Sequence, residues 1–252
     1  MRQARLYPSA GVHGHVAHEV GRLIVSGAIP VGAYLPREAE LAERYGASRQ
    51  AVREGLKVLG AKGLVASRRR AGTHVLPRAS WNLLDPDVIA WYPPGGMPPE
   101  LLEDLIALRQ AIEPAAAVNA AGRGSAEAIA AIGAALEAMR SAEKPSEAFF
   151  AADAEFHDAI FSASGNTLFD RLSTIIIPLM RTSFELHFRG VETALATPDQ
   201  ISAAVETSID RHAAVHQAIL DRDPVRARQA TDALLAQVST EVAHATRTVR
   251  GR

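Results

Sequence analysis

Residues 35–75 read LPREAELAERYGASRQAVREGLKVLGAKGLVASRRRAGTHV, and this stretch decides the fold of the N-terminal part of the chain. Leu41, Ala42 and Tyr45 give a first short helix an apolar face. Ser48 is placed to cap a second helix, on which Val52, Leu56 and Leu59 recur at helical spacing. Gly46 suits the sharp turn between the two, and Gly63 stands where a helix C-cap belongs. A helix pair of this kind presents the start of its second helix to the major groove of DNA. Here that start carries Ser48, Arg49, Gln50 and Arg53, none apolar and three of them good ligands for the groove or the phosphates. After Val65 come Arg68, Arg69 and Arg70, then Gly72 and Thr73-His74-Val75. Two short strands joined by a basic turn make a wing that can follow the backbone or the minor groove.

Upstream, His13 to Ser26 predicts an opening helix with Val16, Val20, Leu23 and Ile24 as its stripe, ended by Gly27 and Pro30. The segment IPVGAYLP reads as a loop. Residues 1–76 are therefore expected to form a winged helix-turn-helix. From 77 to 99 both tryptophans and six prolines exclude one regular element. Trp81, Leu83, Leu84, Val88, Ile89 and Trp91 are too apolar for a solvated tether, which predicts a packed linker.

At 252 residues the chain is long enough for two domains. It has no cysteine, hence no disulfide framework or thiolate chemistry. No apolar run of transmembrane length and no apolar leader appears, which predicts a cytoplasmic protein with no membrane partner. A net charge of −1 conceals a split. Residues 1–77 hold twelve Arg/Lys against five acids, net +7, and the remainder is net −8. A basic head on an acidic body fits a head that binds nucleic acid and a body that DNA repels.

Residues 100–252 predict helices only, in an all-α bundle of six to seven. The pattern places them at about 100–122, 125–142, 146–164, 168–188, 201–221 with a break near Glu206, and from Asp223-Pro224 to about Thr246. A polar loop, GVETALATPDQ, precedes the fifth. Pro114 and Pro178 fall inside helical patterns and are expected to kink them. Asp153 and His157 are four apart in DAEFHDAIF and share a helix face among phenylalanines. His212 stands at core spacing in DRHAAVHQAIL, with His216 four further on. Asp and His gathered from facing helices can hold a divalent metal or a polar ligand, although Asp-x-x-x-His alone equally describes a helix ion pair. Arg109, in LIALRQAIEP, is a fork for a carboxylate, supplied either by a ligand or by a local Glu103 or Glu113.

Taken together, these motifs resemble a known family. IPVGAYLP, the E-L-A, Y-G-A-S-R, V-R-E-G-L, G-L-V and G-T-H-V segments resemble the winged-helix head of GntR-family bacterial transcription regulators. RQAIEPAA, DAEFHDAI, SGN and RHAAVHQAI resemble the all-helical FCD ligand-sensing domain of the FadR subgroup, and the linker WNLLDPDVIAW resembles regulators of sugar-acid use. The resemblance implies a homodimer on a short palindromic double-stranded DNA operator, contacted by Arg37, Ser48, Arg49, Gln50, Arg53, Arg69, Arg70 and Gly72. It also implies a small carboxylate effector bound by Arg109, Asp153, His157, Arg181 and His212. One divalent metal ion, zinc or similar, would be held by Asp153, His157 and His212. Two departures stand out. A basic residue common in such heads is replaced by Ala39, and a further metal-binding histidine, 22 residues after His212, is replaced by Leu234. Water, effector or His216 would then complete a metal shell.

The expected function is a ligand-responsive repressor released from its operator by an aldonate or related carboxylate. One rival keeps DNA binding and gives the bundle only dimerisation or metal sensing. A metal-dependent bundle enzyme would need paired carboxylates with a repeated Glu-x-x-His motif, and the sequence has no such set.

Overall fold

Ser48 does cap a helix: its Oγ accepts from the Ala51 amide at 3.1 Å, opening α3 (Arg49–Ala61). The computed structural model describes residues 7, 12–68, 71–93, 96–144, 146–194 and 197–250. Ahead of α3 lie α1 (Val12–Val25) and α2 (Glu38–Arg44), the latter ending in a turn where Gly46 takes φ +58°. Helix α3 buries Val52, Leu56 and Leu59. At Gly55 it meets α1 so closely that an added Cβ would lie 3.0 Å from the His13 carbonyl oxygen. The wing pairs β1 (Val65–Arg68) with β2 (Gly72–Val75), antiparallel, in the register Val65↔Val75 and Arg68↔Gly72. Residues 33–35, expected as plain loop, add a short third edge: Leu35 donates to Thr73 and Val75 donates to Ala33.

The chain divides into two compact units, Gln3–Gly96 and Met97–Arg252. Residues 77–96 are grouped with the winged head, and the stretch expected as a packed linker does pack. After a single 3-10 turn (Arg78–Ser80), Trp81 buries its ring and donates from Nε1 to the Leu76 carbonyl. Helix α4 (Pro86–Ala90) buries Val88 and Ile89. Trp91 lies on Gly21, donates to His18 Nδ1 at 2.9 Å, and is 2% exposed. Lys62, at the end of α3, pairs with both Asp85 and Asp87. Those two hydrogen-bonded carboxylates hold its ammonium above the usual lysine range, outweighing the opposing pull of burial. Leu83 is half-buried and Leu84 is half exposed.

The second unit is α5 (Pro99–Arg123), α6 (Ala126–Ser141), α7 (Glu147–Ala163), α8 (Thr167–Ala194), α9 (Pro198–Leu220) and α10 (Pro224–Arg250). Ser125 and Ser146 cap α6 and α7, which begin within a residue of the expected starts at 125 and 146. Helices α5 and α10 pack along each other, as do α6 and α7. Alanines 116, 117, 120 and 121 are fully buried on α5 and permit close approach. Helix α8 continues past the expected end at Phe188 to Ala194, and α9 passes Glu206 without a break. The signal for the true start of α9 is Thr197-Pro-Asp-Gln200. Thr197 and Gln200 form a reciprocal capping box with proline at the first position. Pro114 and Pro178 both lie inside continuous helices. Among the described residues, no helix is long and apolar enough to cross a membrane.

Candidate functional site

On the head, Ser48, Arg49 and Gln50 are exposed at the N-terminus of α3, and Arg37 is exposed at the N-cap of α2. The partial positive charge of a helix start and two guanidinium groups make this face attractive to phosphate. Gly72 takes φ +101° where the wing hairpin returns, a conformation suited to glycine. Arg53 is exposed but engaged: its Nε and Nη2 donate to the two carboxylate oxygens of Glu38, at 3.1 and 2.7 Å. To contact DNA it must exchange that carboxylate for a phosphate or base. Arg69 and Arg70 lie outside the described residues.

In the bundle, α5, α7 and α9 bring a polar group into an otherwise apolar interior. The four-residue spacings Arg109–Glu113 and Asp153–His157 each place two side chains on one face. Arg109, Glu113, His157 and His212 are all buried, each 5% exposed or less. Arg109 Nε donates to Glu113 Oε1 at 2.6 Å, and its Nη2 lies 3.1 Å from His157 Nε2. Behind His157, Nδ1 lies 2.7 Å from Glu113 Oε2, close but without hydrogen-bond alignment. The Phe156 ring covers His212 edge-on, with centroids 4.9 Å apart.

The hydrogen-bond partners decide where the ring protons sit. His212 Nδ1 is 2.7 Å from the Ser208 carbonyl oxygen, which can only accept, so Nδ1 carries a proton. In the neutral ring Nε2 is then bare, and it faces Asp153 Oδ1 at 3.0 Å and His157 Nε2 at 3.4 Å. His157, with Nδ1 toward the Glu113 carboxylate, likewise turns a bare Nε2 inward. Lone pairs from Asp153, His157 and His212 thus converge, with ligand atoms all within 4.8 Å of one another. Such a set is mutually repulsive unless a proton or a cation lies among them. Two imidazole nitrogens and a carboxylate oxygen, each ring oriented from behind by Ser208 or Glu113, suit a zinc-like divalent ion. Burial alone would raise the Glu113 carboxyl, but Arg109 and His157 outweigh it and hold it at about 2. Burial likewise opposes ionisation of Asp153, but when a proton rather than a cation lies among these atoms, His212, His157 and Arg109 keep it below the usual carboxylate range.

Four of the expected bundle residues, Arg109, Asp153, His157 and His212, are thus brought together. Arg181 is different: its side chain is about a third exposed and lies 3.8 Å from Glu155. His216 turns toward α6, where its Nε2 would be 3.0 Å from a Cβ on Gly133. Burial, then Arg140, pushes its pKa down. Among the described residues it is not in the convergent group, and Leu234 is a buried apolar side chain. Glu113 is the residue the sequence reading undervalued. It appeared only as an alternative partner for Arg109, although Arg-x-x-x-Glu on one helix face was visible.

Residues 13–75 match the bacterial regulatory proteins of the gntR family, and residues 104–237 match the FCD domain. The chain is 34% identical over 217 residues to the galactonate operon transcriptional repressor of Escherichia coli K12, covering 86% of this chain and 90% of that protein. It is 30% identical over 221 residues to the Glc operon transcriptional activator of the same strain, covering 85% and 82%. Among solved structures, one titled "Lar controls the expression of the Listeria monocytogenes agr system and mediates virulence" aligns with a TM-score of 0.62 and 16% identity. It covers 95% of this chain and 99% of that one, a likeness of fold alone. The matched families and relatives are regulators and not enzymes.

Proposed function

The chain belongs to the GntR family of bacterial transcription regulators, with an FCD domain, and from that premise we propose a dimeric cytoplasmic repressor of a sugar-acid operon. In this reading a short palindromic operator is contacted through Arg37, Ser48, Arg49, Gln50, Arg53, Arg69, Arg70 and Gly72. An aldonate such as galactonate is the effector, bound in the bundle beside a divalent metal ion on Asp153, His157 and His212. The observation that carries the reading is the convergence of three bare ligand atoms beside a buried guanidinium. The similarity to a galactonate repressor supports the effector class. The metal supplies a Lewis-acidic anchor for ligand oxygens, and Arg109 supplies the fork for a carboxylate. Arg181 stands apart as a candidate contact for the polar end of the effector.

Release of DNA requires only that the effector bind the DNA-incompetent arrangement better. A tenfold loss of operator affinity corresponds to about 1.4 kcal/mol of coupling. The reading is tested by gel shift with the DNA upstream of the chain's own gene, titrated with D-galactonate. Retention of the complex at saturating galactonate, together with no thermal shift from galactonate or zinc, would leave the bundle as a dimerisation body only. A shift with zinc alone would make it a metal sensor.

Arg49→Ala and Arg53→Ala are each expected to weaken operator binding by about 1–3 kcal/mol. The Arg53 loss should fall toward the lower end, because its pair with Glu38 must be broken before DNA is contacted. Operator binding that survives both substitutions together would remove this face from the DNA interface.

A further inference from the structure

We infer that Glu38 is a specificity-determining residue of the head: its carboxylate occupies the Arg53 fork, repels any phosphate that replaces it there, and yields Arg53 to an uncharged base edge. The inference rests on the proposed assignment of the start of α3 to the DNA interface. Glu38 is the first residue of α2, and Arg53 lies in the second turn of α3. Nε and Nη2 of Arg53 donate to the two oxygens of the Glu38 carboxylate, at 3.1 and 2.7 Å. This bidentate arrangement is the one in which an exposed ion pair holds best. Glu38 has a second reason to stay in place, because the first turn of a helix favours a negative charge. The hydrogen bond from Arg53 keeps its carboxyl below the ordinary range, and the charge of Arg49 lowers it further. The neighbouring Ala39 carries no charge with which Glu38 could pair instead.

A carboxylate set among the cations of a DNA-facing surface works against binding in general, but not equally against all DNA. What matters is the group that replaces it on Arg53. A phosphate fits the fork, yet it brings a second negative charge beside the carboxylate it has displaced. Guanine offers O6 and N7 to the same fork and carries no net charge. Exchange onto guanine therefore costs the old pair alone, whereas exchange onto phosphate costs the pair and adds a repulsion. Complexes with arbitrary DNA are held almost wholly by phosphates. Glu38 thus weakens binding to arbitrary DNA more than binding to a site that places guanine opposite Arg53.

The test uses the full chain, Glu38→Gln, Arg53→Ala and the double variant. Two duplexes of equal length are compared by fluorescence anisotropy across a sodium chloride series. One is a site selected from randomised duplexes by the unaltered chain, and the other is the same sequence shuffled. Glu38→Gln keeps the side-chain shape and removes the charge, and far-UV circular dichroism checks that each variant is folded. It is expected to bind the shuffled duplex about three- to tenfold more tightly at low salt, with a salt slope steeper by about one for each head engaged. The gain on the selected site should be clearly smaller, so that selectivity falls. In the Arg53→Ala background the gain from Glu38→Gln should largely disappear, since no fork remains for a phosphate to enter.

Equal gains on both duplexes, or a gain of the same size with and without Arg53, would make Glu38 a plain surface charge and overturn the inference. So would an unchanged Glu38→Gln when Arg53→Ala weakens binding. Arg53→Ala that binds both duplexes as before, or a selection that enriches no sequence, overturns the interface assignment itself.

Discussion

Glu113→Ala is expected to destabilise the bundle by about 3–5 kcal/mol, the range for removing one partner of a buried ion pair. Glu113 is 2% exposed, accepts from Arg109 Nε and faces His157 Nδ1. Its removal leaves the buried Arg109 guanidinium without the carboxylate that accepts from its Nε. Glu113→Gln keeps an oxygen for one of the two partners and should lose less. The same carboxylate gives the protein an acid limb. Its pKa of about 2 lies below the ordinary carboxyl value of 4.5. The group therefore contributes stability that is present above about pH 4.5 and disappears as pH falls toward 2. By linkage the contribution is about 3 kcal/mol. Urea unfolding followed by far-UV circular dichroism at pH 7 and pH 3 reads both effects. A loss below about 1 kcal/mol in Glu113→Ala, or an unchanged acid limb in Glu113→Gln, would remove Glu113 from its assigned place.

Local chemistry made most of the helix starts legible. Ser48, Ser125 and Ser146 each cap the helix that the apolar periodicity predicts after them. The turn at Gly46 and the wing of Val65–Val75 were readable for the same reason, since each signal and its consequence lie within a few residues. The stretch 77–96 was not, because its partners are far away in sequence. Trp91 is held by His18 and Gly21, and Asp85 and Asp87 by Lys62. Composition could say that two tryptophans must be buried, but not against which surface.

The bundle site divides along the same line. Spacing put Arg109 with Glu113, and Asp153 with His157, on common helix faces. Only the crossing of α5, α7 and α9 brings those pairs and His212 into one group. The tautomer of His212 depends on a carbonyl one turn earlier on its own helix, which the sequence contains without advertising. The pair between Arg53 and Glu38 is not legible in the sequence, because nothing local announces a carboxylate fifteen residues earlier as its partner. The start of α9 is local chemistry too, since Thr197-Pro-Asp-Gln200 is a capping signal inside a stretch whose polar composition resembles a loop.

Gly63→Ala is expected to cost the head well over 3 kcal/mol and to abolish operator binding, and a second glycine separates the causes. Gly63 has φ +76°, and Gly27 has nearly the same conformation at φ +80°. Alanine in the left-handed region costs roughly 1–2 kcal/mol. At Gly27 a Cβ would meet nothing within 4 Å, so Gly27→Ala should lose only that amount. At Gly63 it would lie 2.0 Å from the Ser80 carbonyl oxygen and 3.0 Å from the carbonyl carbon, both backbone atoms. The 3-10 turn at Arg78–Ser80 must move, and with it the Asn82 amide that donates to the Lys62 carbonyl and the buried Trp81 ring. Both tryptophans lie in the Gln3–Gly96 unit, so urea unfolding followed by tryptophan fluorescence reads this unit alone. Zinc binding by the bundle should be unaltered, because Asp153, His157 and His212 all belong to the Met97–Arg252 unit. Equal losses at Gly63 and Gly27 would mean that conformation accounts for the whole effect, and that the return of the chain over the end of α3 is looser than Ser80 implies.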